Sequence, residues 1–206
     1  MAEQVFPTKG NLIQTRKLLS ISNLGYELLD RKRNILIREM MQMIEDAKSI
    51  RGVIEETYVK AYDALQDAHI TLGVIDEIVK GVPIENGISV TYRSVMGVEI
   101  PKVSLEKAKR GIPYGFYMTN SELDNAYVCF NKVKEMTVVL AEVENGIFRL
   151  ATAIKKTQKR ANALKNILIP RFDGMVKYIS DSLEEKERED FSRLKVIKAM
   201  KRKRGD

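Results

Sequence analysis

The 206-residue sequence predicts a mainly α fold: a long antiparallel left-handed two-helix coiled coil, with a small β-hairpin-containing cap in the middle of the chain. Three observations carry that prediction. Composition comes first: there is no Trp, only 7% of residues are aromatic and 31% are charged, which suits long helices better than a broad mixed core. Two stretches, one at each end, repeat apolar or small residues at alternating steps of three and four. Between them the repeat stops, and residues 81–119 concentrate five of the 12 glycines and three of the five prolines.

The first stretch, residues 1–80, reads as one helix. From Leu12 the steps reach Thr15, Leu19, Ser22, Tyr26, Leu29, Arg33, Leu36, Met40, Met43, Ala47, Ile50, Ile54, Thr57, Ala61, Ala64, Ala68, Thr71, Ile75 and Ile78. A helix to about residue 79 would be roughly 100 Å long at 1.5 Å per residue. Ala61, Ala64 and Ala68 let a partner helix approach closely. A strict seven-residue repeat on a helix of 3.6 residues per turn imposes the left-handed supercoil.

In the middle segment, residues 81–119, β-branched residues and a glycine turn predict a short hairpin over about 88–103. Ile88, Val90 and Tyr92 lie on the first arm, Gly97 at the turn, and Val98 and Ile100 on the second. Pro101 keeps the second arm at a sheet edge. The segment lies outside both repeats, so its removal is expected to leave the coiled coil folded.

The second long stretch, residues 120–203, steps through Ala126, Phe130, Val133, Thr137, Leu140, Glu144, Ile147, Ala151, Ile154, Gln158, Ala161, Lys165, Leu168, Phe172, Met175 and Ile179. The repeat passes Pro170 without losing phase. An interior proline costs on the order of 3 kcal/mol, so Pro170 reads as a local kink or bulge in a continuing helix. The alternative is a helix ending at Ile169 and another starting at Arg171, since proline also suits a helix start. Two helices of similar length joined by a short segment fold back on each other. Residues 8–20 are then expected beside 190–203.

Catalytic chemistry finds no foothold. His69, the single histidine, has no Cys, Asp or Glu at zinc spacing and reads as a helix-surface or seam residue. Cys129, the single cysteine, reads as a small packed thiol and permits no internal disulfide. GVPIENG and RGIPYG lack the spacing of a phosphate-binding loop. No cofactor or metal is expected, and the chain is expected not to be an enzyme.

The net charge of +7 gathers at both ends: Lys9, Arg16, Lys17, Arg31, Lys32, Arg33 and Arg38, then Lys195, Lys198, Lys201, Arg202, Lys203 and Arg204. A basic coiled-coil structural or nucleic-acid-binding protein is the alternative that this distribution raises. It lacks the interleaved aromatic residues and the recognisable module of a nucleic-acid reader, so no nucleic-acid partner is expected. No apolar run approaches 18 residues, so no direct membrane insertion is expected and the chain should be cytoplasmic.

The terminal stretches carry a resemblance. PTKGNLIQTRKLLSISNLGYELLDRKRNILIREMMQMI, residues 7–44, resembles the amino-terminal signature of the D subunit of V/A-type (vacuolar and archaeal-type) rotary ATPases, through Pro7, Thr8, Leu28, Leu29, Lys32, Arg33 and Leu36. Residues 160–201 resemble the family's carboxy-terminal signature, through Arg160, Asn162, Ala163, Leu164, Ile169, Pro170, Arg171, Ile179, Arg188 and the Arg193, Leu194, Lys195 run. The resemblance implies the central stalk of a rotary ATPase, peripheral to the membrane. It implies three kinds of partner: a hexameric ring of catalytic and noncatalytic ATPase subunits, the small F subunit of the central stalk, and a funnel-like subunit on the membrane rotor ring. The shaft would carry torque between the ATP-hydrolysing or ATP-synthesising ring and the ion-translocating ring. Lys17, Arg31, Arg33, Arg38, Arg160, Arg171, Arg193 and Lys195 are the residues expected to face the catalytic ring, and Pro170 the kink that makes the shaft asymmetric.

Overall fold

A computed structural model describes residues 6–106, 113–117 and 119–205; the RGI of the RGIPYG stretch lies outside them. The elements, in chain order, are α1 (Lys9–Leu72), the short α2 (Asp76–Val79), β1 (Ile88–Val95), β2 (Val98–Leu105), α3 (Ser121–Ala163), a π-helical turn (Leu164–Leu168) and α4 (Ile169–Arg204). The chain divides into two compact units. One comprises the residues up to Arg33 and from Lys156 onward; the other runs from Asn34 to Lys155.

Local chemistry sets the start of α1. Thr8 Oγ1 accepts the Asn11 N–H at 3.2 Å, filling one of the orphan donors of the first turn. The helix ends at Leu72, short of the residue 79 expected from the repeat. Gly73, at φ +73°, takes the left-handed conformation that closes a helix, and its N–H donates to His69 O at 2.9 Å. Ile75 and Ile78 keep the apolar character of the repeat but leave its helix. Ile75 is buried with Ala68 and Leu123, and Leu65, Leu72, Ile78 and Tyr114 pack around them. Asn120 then opens α3: its Oδ1 accepts the Leu123 N–H at 3.1 Å, and its Nδ2 donates to Thr71 Oγ1 at 2.7 Å.

Within each unit the helices pair antiparallel. In the terminal unit, Lys9 meets Glu187, Tyr26 meets Lys165 and Arg33 meets Gln158. In the other unit, Arg51 meets Glu144, Tyr58 meets Thr137 and Tyr62 meets Phe130. The first repeat is the buried line of α1 as expected: Thr15, Leu36, Ile54, Ala61, Ala64 and Ala68 are the fully buried residues of that helix.

The second repeat needs correction. One line holds throughout, with Ala126, Val133, Leu140, Ile147, Ile154, Ala161, Leu168 and Met175 all buried or half-buried. Of its expected companions before the turn, Phe130 and Gln158 are half-buried, whereas Thr137, Glu144, Ala151 and Lys165 are exposed and Val143, Leu150, Thr157 and Leu164 are turned inward. Beyond the π turn the companions are Phe172 and Ile179, where the sequence put them. From Val143 to Leu164 the most buried companions are thus the residues three ahead, and beyond the turn they are the residues four ahead.

The π turn explains both this change and Pro170. The Ile169 N–H donates to Leu164 O, five residues back, and helical dihedrals continue on both sides. A π turn holds more residues than an α turn, so it underwinds the helix and swings the facing side from one flank to the other. The wider turn also stands where an α-helix would suffer from the proline's missing N–H and its ring. The continuing-helix reading is the one observed, and the irregularity takes the form of a bulge.

Met96 (φ 50°) and Gly97 (φ 74°) form the two-residue turn of the hairpin, the positive-φ pair whose twist matches antiparallel strands. The strands pair from Ile88 with Leu105 to Val95 with Val98. The hairpin does not sit over the helix ends at residues 72–121; it lies along the flank of α1 and α3. Ile100 is buried with Leu36 and Leu150, and Met40, Met43, Val95, Val98, Ala153 and Ile154 pack around the three. Gly146 permits that approach: a Cβ there would collide with the Met43 methyl and stand 3.2 Å from Ile100 Cγ2.

Candidate interaction surfaces

Hydrogen bonds and ion pairs fix the outer edge of the hairpin before any partner is considered. Glu142 Oε2 accepts the Val103 N–H at 2.7 Å and Arg149 Nη1 donates to Glu99 O at 3.2 Å, with Pro101, which has no N–H to offer, between them. Arg93 pairs with Glu39 at 2.6 Å, and the Arg149 guanidinium lies 5.2 Å from the centroid of the Tyr92 ring. At its base, Lys134 Nζ stands 2.6 Å from Glu85 Oε2 while the Gly87 N–H donates to Glu85 Oε1 at 3.2 Å. The lysine contact and then the Gly87 N–H hold the Glu85 carboxyl below the usual range. Ile88, Val90 and Tyr92, on one face of β1, remain about half exposed.

The basic residues singled out from sequence divide into two groups. Lys17, Arg31, Arg38, Arg160, Arg171, Arg193 and Lys195 have exposed side chains. Arg33 does not belong with them: it is half-buried, pairs with Asp30 at 2.6 Å and donates to Gln158 Oε1 at 2.9 Å. Position explains the difference, because Arg33 occupies a seam step of the α1 repeat. Its guanidinium reaches α3 within the terminal unit.

The carboxy-terminal end of α4 is unlike the rest of that helix. Residues 8–20 lie beside a stretch earlier than the expected 190–203: Asn11, Gln14, Thr15 and Leu18 share a surface groove with Arg171, Phe172 and Met175, and Lys9 reaches Glu187 at 2.9 Å. That hydrogen bond and its attraction raise the Lys9 pKa. From Glu184 to Lys203 every residue is exposed. Acid and base pair along the helix as far as Arg193, which meets Glu189 at 3.4 Å and Asp190 at 3.9 Å. From Leu194 to Gly205 the sequence has no acid, only apolar and basic residues with Ala199 among them. Leu194, Ile197 and Met200 are all more than half exposed there, as is Phe191 just before it.

His69 and Cys129 take structural places. The His69 ring is exposed at the end of α1, where Nδ1 donates to Gly73 O at 3.0 Å. Cys129 is half-buried on α3, with Sγ 3.8 Å from Asn125 Oδ1. Among the described residues, no three His, Cys, Asp or Glu side chains stand close enough together to hold a metal ion.

Residues 11–199 match the model of the family described as the D subunit of ATP synthase. The chain belongs to that family. It is 43% identical over 196 residues to the D subunit of the V-type ATP synthase of Thermotoga neapolitana, covering 94% of this chain and 97% of the relative. It is 34% identical over 202 residues to the D subunit of the A-type ATP synthase of Pyrococcus horikoshii, covering 96% and 94%. With the D subunit of the A-type ATP synthase of Thermococcus kodakarensis, identity is 36% over 207 residues, with 97% of each chain covered. The matched residues span both long helices and the hairpin of this family member.

Sequence reasoning missed Glu142, Gly146 and Arg149, which seat the hairpin, because nothing in the local pattern of α3 announces what packs against it. A glycine inside a strong helical repeat was the available signal for Gly146. It also missed the exposed apolar residues on the back of α1, for which a second repeat was legible.

Proposed function

We propose that this D-subunit family member is the central rotor shaft of a V/A-type ATPase or ATP synthase, carrying torque between an ATP-hydrolysing or ATP-synthesising ring and an ion-translocating membrane ring. It acts as a noncatalytic component, peripheral to the membrane. Its partners are a hexameric ring of catalytic and noncatalytic subunits, the small F subunit of the stalk and a funnel-like subunit on the membrane rotor ring. Among the described residues, no helix is long and apolar enough to cross a membrane.

The observation that supports this reading best is the free end of α4. Every residue from 184 to 203 is exposed, with Glu187 reaching Lys9 near the start of the stretch, and the last residues mix apolar and basic side chains without an acid. Such an end suits the bore of a ring lined by apolar and acidic groups, where charge attracts without locking. Arg31, Arg38, Arg160, Arg171, Arg193, Lys195 and Lys17 are the ring-facing residues in this reading. Arg33 is left out of that set because it is engaged in the seam. The π turn at Pro170 gives the shaft an irregular side, so its three orientations in a threefold ring are inequivalent. Linkage does the rest: if nucleotide occupancy shifts the preferred shaft angle, the angle shifts nucleotide affinity by the same free energy.

Truncation after Arg193 tests it. Reconstituted with the ring and the F subunit, the shortened chain is expected to assemble but to lose ATP-driven rotation or to slip. Full rotation without slippage would show that the basic end plays no part in coupling.

A further inference from the structure

The seam of α1 accounts for one side of that helix; the opposite side carries a second repeat. Lys17, Ile21, Leu24, Leu28 and Arg31 follow one another by four, three, four and three residues. At 100° per residue they fall on the side facing away from Leu19, Ser22, Tyr26 and Leu29. Ile21, Leu24 and Leu28 are 55%, 58% and 57% exposed, and Lys17 and Arg31 are exposed as well. Isolated exposed apolar residues are ordinary on a protein surface, but a solvated helix face has no reason to repeat them at the spacing of a coiled coil.

We propose that residues 17–31 of α1 dock an amphipathic helix of a partner chain whose apolar line is flanked by acidic residues. The alternating repeat selects a helix, since only another helix presents knobs and holes at that spacing; a strand repeats every second residue. Charge selects the flank. The line holds Lys17 and Arg31 and no acid; of the acids beside it, Asp30 is engaged with Arg33, 2.6 Å away, and Glu27 shares a groove with Arg16 and Leu24. The same charges argue against a second copy of this chain, because an antiparallel twofold pairing of the stripe would set Lys17 against Arg31. Lys17 and Arg31 also belong to the ring-facing set proposed above, yet the inference stands on spacing and charge alone.

The probe is a fluorescein-labelled four-heptad peptide with Leu at the a and d positions and Glu at e and g, whose own charges keep it from self-pairing. A twin with Lys at e and g is the control. Anisotropy with the whole chain should show binding of the Glu peptide and little binding of the Lys peptide. Leu24→Glu with Leu28→Glu should weaken the Glu peptide about tenfold or more. Val59→Glu, at an exposed apolar position further along α1, should leave it unchanged. Lys17→Glu with Arg31→Glu should reverse the preference between the two peptides. All substituted side chains are exposed, so helicity and melting should match the parent, and circular dichroism checks this. Equal affinity for both peptides, binding to neither, or unchanged binding after Leu24→Glu with Leu28→Glu would overturn the proposal. Because no ring component is present, the result is independent of the rotor assignment.

Discussion

Ile100 of the hairpin and Leu150 of α3 bury each other in one small core, at 3% and 0% exposure, with Leu36 of α1 as the third member. The hairpin is thus part of the packing of its unit. Truncating a buried Ile removes transfer energy and leaves a cavity, so Ile100→Ala should lower stability by about 2–5 kcal/mol. Urea unfolding would show a lower midpoint with an unchanged slope. Deleting residues 87–103 should cost more, since it uncovers Leu36 and Leu150 together. The expectation from sequence, that the coiled coil stays folded without this segment, is checked on the same variant: loss of all helicity would overturn it, and a variant as stable as the parent would show that the packing on Leu36 and Leu150 adds nothing.

Pro170 offers a second measurement. If the proline sat in a regular α turn, replacing it by alanine would restore a hydrogen bond and relieve a clash worth about 3 kcal/mol. With the π turn ahead of it, the chain has already adapted. Pro170→Ala should therefore change stability by less than about 1 kcal/mol. A gain near the larger figure would mean the turn does not relieve the proline.

Neighbouring arginines on α1 should behave differently. Arg33→Ala strips Asp30 and Gln158 of a half-buried donor, and the expected loss is about 1–3 kcal/mol. Arg31→Ala touches an exposed side chain and should stay within about 0.5 kcal/mol in the isolated chain. Thermal melts of the two variants side by side decide it, and equal effects would count against the seam role of Arg33.

The Glu85 contact has a pH signature. Its carboxyl is held below the ordinary range by Lys134 and the Gly87 N–H, so the folded state favours the ionised form. The stabilisation is complete above the ordinary carboxylate pKa of 4.5 and is lost as pH falls through the lower folded value. Exchange of the Gly87 amide should accelerate over that acid window relative to neighbouring amides. In Glu85→Gln the step should vanish. Persistence of the step in that variant would assign it to another group.

Sequence alone determined what depends on neighbours along the chain. The two long helices, the buried line of α1 up to Ala68 and the hairpin turn at Met96 and Gly97 all follow from local periodicity and backbone preference. Each is set within a few residues, and each was legible. The end of α1 was less so, because Ile75 and Ile78 kept the repeat while Gly73 ended the helix; an apolar residue is equally satisfied in a seam or in a turn packed over it.

Tertiary structure decided the rest. Whether Val143 or Glu144, and Leu150 or Ala151, turns inward depends on what lies across from α3, and the hairpin with Ile100 supplies part of that surface. The sequence leaves both flanks of the constant line open, since one residue of rotation separates them. The π turn then exchanges one flank for the other, a shift that depends on winding angle and leaves the seven-residue line through Leu168 and Met175 intact. Arg33 shows the same limit: as a charge it read as surface, and only the proximity of Gln158 and Asp30 made the seam a place where a guanidinium could be satisfied.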